Sequence, residues 1–194
     1  MNSQDIKFEL IDKSFMIIDK EGWENFSFKK LAYEKKINVS KIKQLLGSKK
    51  ELLKEFSKMI DFRVEKDFDF NSLADSSTKD NLFELIMLRL DYMQPYKSSL
   101  KMIIFSLRKR PSMLKSISEN VSSSLDFYLE LTKAYDNSFF DIFKKKSIFL
   151  IYSYIFKVWL DDDSEELSKT MSELDKVLSI SEKIANKLKN YALF

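Results

Sequence analysis

Three consecutive aspartates, Asp161, Asp162 and Asp163, with Glu165 and Glu166 just beyond, form the densest group of potential ligand atoms in the chain. Hard cations such as Mg²⁺ and Ca²⁺ take carboxylate oxygens, so one reading is a cation site. The other is electrostatic: acids gather where a helix begins, and Asp163 and Glu166 stand at capping-box spacing. The capped helix start is the stronger expectation, and no metal or other cofactor is expected. A second group is basic. Between Ser27 and Lys58 ten lysines stand against three acids, Glu34, Glu51 and Glu55, a local net of +7 that suits contact with phosphates. The run Arg108-Lys109-Arg110 either touches phosphate head groups or forms a charged loop. The 194 residues include no histidine and no cysteine, which excludes imidazole acid–base chemistry, thiolate chemistry and the usual zinc, haem and iron–sulfur ligands. No pattern demands a carboxylate or lysine mechanism, so the chain is not expected to be an enzyme.

The elements that must hold these groups read as helices. Two glycines and two prolines in the whole length leave few sheet-type turns, and 44% apolar residues suffice for a sizeable core. Phe8, Ile11, Phe15 and Ile18 recur at helical spacing and predict a helix over 5–20, stopped by Gly22. Ser27 is placed to cap a short helix through Lys35 that turns Phe28, Leu31 and Ala32 inward. After a tight turn at Asn38, Ser40 is expected to cap a very short helix ending at Gly47. Ser48 then caps a longer one over 50–66. The polar stretch 71–78 reads as a linker between a small module, 1–70, and a larger one, 71–194. Helices are predicted over 79–93, from Pro95 to Arg108, over 112–133 and over 139–160, with a last one after the acidic run.

Residues 148–156 are apolar nearly all round, so that helix is expected to be buried on every side at the centre of the larger module. With Leu167–Leu178 it carries more apolar surface than one chain covers, which predicts a homodimer. Ile180, Ile184, Leu188 and Tyr191 alternate with lysines at the C-terminal end. Such a basic amphipathic helix either packs on its own domain or meets a membrane surface through Lys183, Ile184, Lys187, Leu188 and Tyr191. The opening residues carry acids and no apolar leader segment, so the expected location is the cytoplasm.

Leu31-Ala32, Val39-Ser40 and Ser48-Lys49-Lys50-Glu51-Leu52 resemble the N-terminal helix-turn-helix domain of TetR-type regulators. That resemblance implies an all-α, TetR-like fold of about nine helices, with nucleic acid read through residues 27–47. Only Lys41-Ile42-Lys43-Gln44-Leu45-Leu46-Gly47 occupies the recognition position. It is about two residues short, roughly half a turn, and lacks the family's aromatic side chains. Base readout would then fall to Lys41, Lys43 and Gln44.

Over nearly its whole length the sequence also resembles the bacterial TetR-fold lipid-binding accessory family of ubiquinone (coenzyme Q) biosynthesis. The carrying residues are Gly22-Trp23, Arg89-Leu90, Pro95-Tyr96-Lys97, Phe143-Lys144-Lys145-Lys146 and Trp159-Leu160-Asp161-Asp162-Asp163-Ser164. Asp141-Ile142-Phe143 and Lys146 stand where that family usually has an aspartate, an Asn-Trp-Tyr patch and an arginine. The resemblance implies a non-catalytic protein, peripherally associated with the inner membrane, that holds an isoprenoid or phospholipid and presents quinone precursors to a pathway hydroxylase. An apolar cavity would be needed, and Leu85, Tyr92, Ile104, Phe105, Tyr128, Leu131, Tyr152, Ile155, Phe156 and Trp159 are the candidates for its wall. Close packing of the same residues on one another is the alternative.

Overall fold

In the computed structural model, residues 3–191 are described, with side chains described for all of these but 72 and 188–191. Among them are nine α-helices and no strand: α1 (Ser3–Glu21), α2 (Phe28–Lys35), α3 (Val39–Leu46), α4 (Lys49–Asp67), α5 (Thr78–Met93), α6 (Lys97–Leu107), α7 (Pro111–Leu131), α8 (Asp141–Leu160) and α9 (Ser168–Tyr191). Two compact units result. One gathers the chain up to Arg63 with Tyr92–Val121; the other gathers Val64–Asp91 with the chain from Ser122 onward. Residues 71–78 contain a short 3-10 turn, Ser72–Ala74, and end in a cap for α5, where the Asp80 N–H donates to Ser77 Oγ at 3.1 Å.

In the first unit α1 packs on α2, α3 and α6. Its buried stripe of Leu10, Ile11, Phe15 and Ile18 follows the predicted period. The Phe15 ring stacks on Phe56 with centroids 4.2 Å apart and meets Tyr96 edge-on at 5.3 Å. The Tyr96 hydroxyl donates to Asp12 Oδ1 at 2.5 Å and accepts from Arg63 Nη1 at 2.9 Å, which ties α1 and α4 to the turn before α6. Ser99 Oγ donates to the Phe15 carbonyl at 2.8 Å, so this buried hydroxyl is satisfied.

In the second unit α8 and α9 pack together. The expectation that α8 is buried on every side is not met. Ile148, Tyr152, Ile155 and Trp159 are buried at spacings that make one stripe, while Leu150 is 67% and Tyr154 45% exposed. An all-apolar sequence does not reveal which side faces the core, because burial follows the neighbours available.

The acidic run does begin a helix, but through Asp162 and not the expected pair. Asp162, 1% exposed, accepts the Ser164 N–H at 3.0 Å and the Thr170 N–H at 2.8 Å. Glu166 sits at φ 53°, in the left-handed region, and does not complete a capping box with Asp163. Among the described residues no cluster of acids is arranged to hold a metal ion, and no helix is long and apolar enough to cross a membrane.

Candidate functional site

The helix-turn-helix is built from local bonds. Ser27 caps α2 by accepting the Lys30 N–H at 3.4 Å, as the sequence predicts. α2 ends at Lys36, whose left-handed backbone (φ 52°, ψ 40°) lets the Ile37 N–H reach back to the Ala32 carbonyl at 3.1 Å. Asn38, not Ser40, caps α3: its Oδ1 accepts the Ser40 N–H at 2.8 Å. Two more residues are thereby freed for the helix. α3 spans eight residues, about 12 Å at 1.5 Å per residue, comparable to the width of a DNA major groove.

Ile42 and Leu46 anchor α3 in the core, which leaves Ser40, Lys41, Lys43 and Gln44 exposed. The three candidate base-reading residues therefore stand on solvent-facing positions of one helix. Among the described residues no carboxylate pairs with Lys41 or Lys43, whereas Lys30 pairs with Glu21, Lys35 with Glu9 and Lys58 with Glu55. Tyr33, on α2, is 87% exposed. Sequence reasoning missed it, although an aromatic one position after the inward Leu31-Ala32 pair points outward on a helix.

At the far end of α3, Gly47 turns the chain at φ 67°. Ser48 and Glu51 then make a reciprocal cap, the Glu51 N–H donating to Ser48 Oγ at 3.3 Å and the Ser48 N–H to Glu51 Oε2 at 2.6 Å. These bonds hold the Glu51 carboxyl below the ordinary carboxylate range. A side chain at position 47 would collide with that carboxylate.

The basic run at the end of α6 is partly used within the protein. Arg110 pairs with Glu24 at 2.6 Å, and the Arg108 guanidinium stands 5.8 Å from the Phe105 ring centre. Phe105 is 70% exposed and lines an open groove of about 760 Å³ with Trp23, Met102 and Lys101, so its expected place in a buried cavity wall is corrected. Lys49 Nζ donates to the Trp23 carbonyl at 2.7 Å and lies 4.8 Å from its ring centre.

Of the other expected wall residues, Tyr92 and Ile104 are half-buried in the first unit. In the second unit Leu85, Tyr128, Tyr152, Ile155 and Trp159 are buried, with Leu131 and Phe156 half-buried. Tyr152 stacks on Phe156, and Phe156 leans on Trp159 at 5.4 Å, which is close packing. A groove of about 300 Å³ in this unit is lined instead by Leu82, Leu129, Ile148, Ile151, Leu178 and Ile184, with Lys133 and Lys144 among its polar residues. Of the expected membrane contacts Lys183, Ile184 and Lys187 are exposed, while the side chains of Leu188 and Tyr191 lie outside the described ones.

Arg89 is a further residue that sequence reasoning passed over as a site. It is 2% exposed, and its Nε donates to the Tyr152 hydroxyl at 3.2 Å. The Tyr128 hydroxyl is buried beside them, within reach of the Arg89 charge. Burial pushes both phenols up, against the pull of the Arg89 charge, so both are neutral at physiological pH. The signal was available: an arginine set among Leu82, Leu85, Ile86 and Leu90 occupies an otherwise apolar helical stripe.

The sequence matches no known family model and no curated protein. Among solved structures the chain is similar to the TetR transcriptional regulator of Nitrosomonas europaea, with a TM-score of 0.78 and 18% identity over 91% of this chain and 97% of that one. It is also similar to a protein described as a TetR-family transcriptional regulator from Mesorhizobium loti, with a TM-score of 0.55 and 11% identity over 93% and 96% of the two chains. The fold is TetR-like.

Proposed function

We propose that the protein is a DNA-binding regulator that reads a major groove with α3. The observation that carries this reading is the eight-residue α3 itself, anchored by Ile42 and Leu46, with Lys41, Lys43 and Gln44 facing solvent. It answers the objection from length: the Asn38 cap gives the helix two full turns. Lysines without acidic partners supply phosphate attraction, and Gln44 supplies a side chain able to pair with adenine in the groove. Further support comes from the solved structures of similar fold, which are described as transcriptional regulators. The test is selection from a random duplex pool at physiological salt, followed by footprinting. Enrichment of one sequence supports the reading, and retention indifferent to sequence overturns it.

A second reading, the lipid-binding accessory of ubiquinone biosynthesis at the inner membrane, is favoured by the apolar groove that Ile184 lines and by the exposed Lys183 and Lys187 beside it. On this reading the ligand is an isoprenoid or phospholipid and the partner a pathway hydroxylase. Native mass spectrometry of the purified protein, with extraction of what co-purifies, tests it. A lipid-free protein that also fails to co-sediment with anionic vesicles at low salt removes this reading.

A further inference from the structure

We propose that the groove lined by the α1–α2 turn and α6 is a binding site for a planar aromatic carboxylate, stacked on Phe105 and held by Arg108 and Lys109. Met102, Phe105, Ser106 and Lys109 follow one another at spacings of three, one and three, a single face of α6 continued just past its end. The other wall is the turn 22–25, where Gly22, at φ 83°, brings no side chain and Trp23, 1% exposed, supplies a buried apolar ring. All of these residues belong to one unit. The groove's volume, about 760 Å³, falls in the range usual for small-molecule sites.

The acids of the groove are already taken. Glu21 pairs with Lys30, and Glu24 accepts from the Ser106 hydroxyl and from Arg110 Nη2 at 2.6 Å. The Ser106 hydroxyl and the Arg110 charge hold the Glu24 carboxyl below the ordinary carboxylate range. Among the described residues Arg108 and Lys109 have no acidic partner, so an uncompensated positive charge stands beside an apolar wall. An anion with an apolar body matches both. Phe105, 70% exposed, offers its ring to solvent, and the Arg108 guanidinium lies 5.8 Å from the ring centre. A flat aromatic acid lying on that ring brings its carboxylate within reach of the guanidinium fork, whereas a saturated acid meets the charges without the stacking geometry.

Only the use of this site as a signal input rests on the regulator reading above, through the turn that leads into α2. Binding itself is measured without DNA, so the two fail separately. Calorimetry on the full chain compares naphthoate with naphthalenemethanol, which lacks the charge, and with decahydronaphthoate, which lacks the flat rings. Naphthoate should bind about tenfold tighter than the alcohol and about fivefold tighter than the saturated acid. Phe105→Ala should erase the preference for flat rings, and Arg108→Gln combined with Lys109→Gln the preference for the acid. All three positions are exposed, so these variants should keep the melting temperature. Phe139→Ala, at a similarly exposed phenylalanine outside the groove's lining, should leave every affinity unchanged. Binding indifferent to charge or to ring flatness, no binding of naphthoate, or a loss that Phe139→Ala reproduces overturns the proposal.

Discussion

Thr170 donates both its backbone N–H and its hydroxyl to one oxygen of Asp162, and the two residues close the turn between α8 and α9. Ser164 occupies the other oxygen. Burial pushes the Asp162 carboxyl up, but these bonds outweigh it and hold it well below the usual carboxylate range. The turn is therefore organised around a charge.

Asp162→Ala should destabilise the protein by about 1–3 kcal/mol near pH 7, the cost of leaving buried donors without their ionised acceptor. A carboxyl depressed on folding contributes stability above its unfolded pKa and loses it as pH falls through the folded value. The gap between wild type and variant should hold from neutral pH down to about pH 5 and narrow below about pH 4. Urea denaturation across that range measures it.

Tyr96→Phe should cost about 1–2 kcal/mol, because Asp12 and Arg63 lose the hydroxyl between them. Burial and donation to Asp12 push the phenol up to about 12, against the opposing pull of Arg63. A group raised on folding contributes fully below its unfolded pKa and loses the contribution only as pH rises through the folded value. The cost should therefore be flat from neutral pH to about pH 10, which denaturation in alkaline buffer checks.

Lys41→Ala and Lys43→Ala should each weaken DNA binding similarly on all sequences and reduce the salt slope by about one. Gln44→Ala should instead relax sequence preference at one position, by about 1–3 kcal/mol. Lys58→Ala, paired with Glu55, serves as the control. Fluorescence anisotropy against salt separates these outcomes; a slope unchanged in the first two variants would remove α3 from the interface.

A homodimer through α8 and α9 is expected to use the outward Leu150, Tyr154, Met171 and Ile180. Leu150→Glu should then yield a helical monomer by light scattering at micromolar concentration, where the wild type is expected to be a dimer. A monomeric wild type would end this expectation.

Where the sequence was legible, the reason is periodicity and capping chemistry. The stripe of α1, the Ser27 cap and the Ser48–Glu51 reciprocal cap all follow from residues within one or two turns of each other. Failures came where a choice depended on distant partners. Asp162 and Asp163 are chemically equal neighbours, and only the path of the chain into α9 decides which one receives Thr170. Leu150 and Tyr152 are both apolar enough for a core, but their burial depends on which helices lie against α8. Arg89 was readable as an anomaly in its stripe; its tyrosine partner, 63 positions away, was not.

The left-handed Lys36 has a consequence for engineering. A lysine pays for that backbone with strain of about 1 kcal/mol that glycine would not incur, yet the turn keeps its positive charge beside α3. Lys36→Gly should raise the melting temperature while lowering affinity for DNA, two changes of opposite sign from one substitution. On the proposed DNA-binding reading, sturdiness and grip are in tension at this position, so selection for thermal robustness alone would drift toward weaker DNA binding.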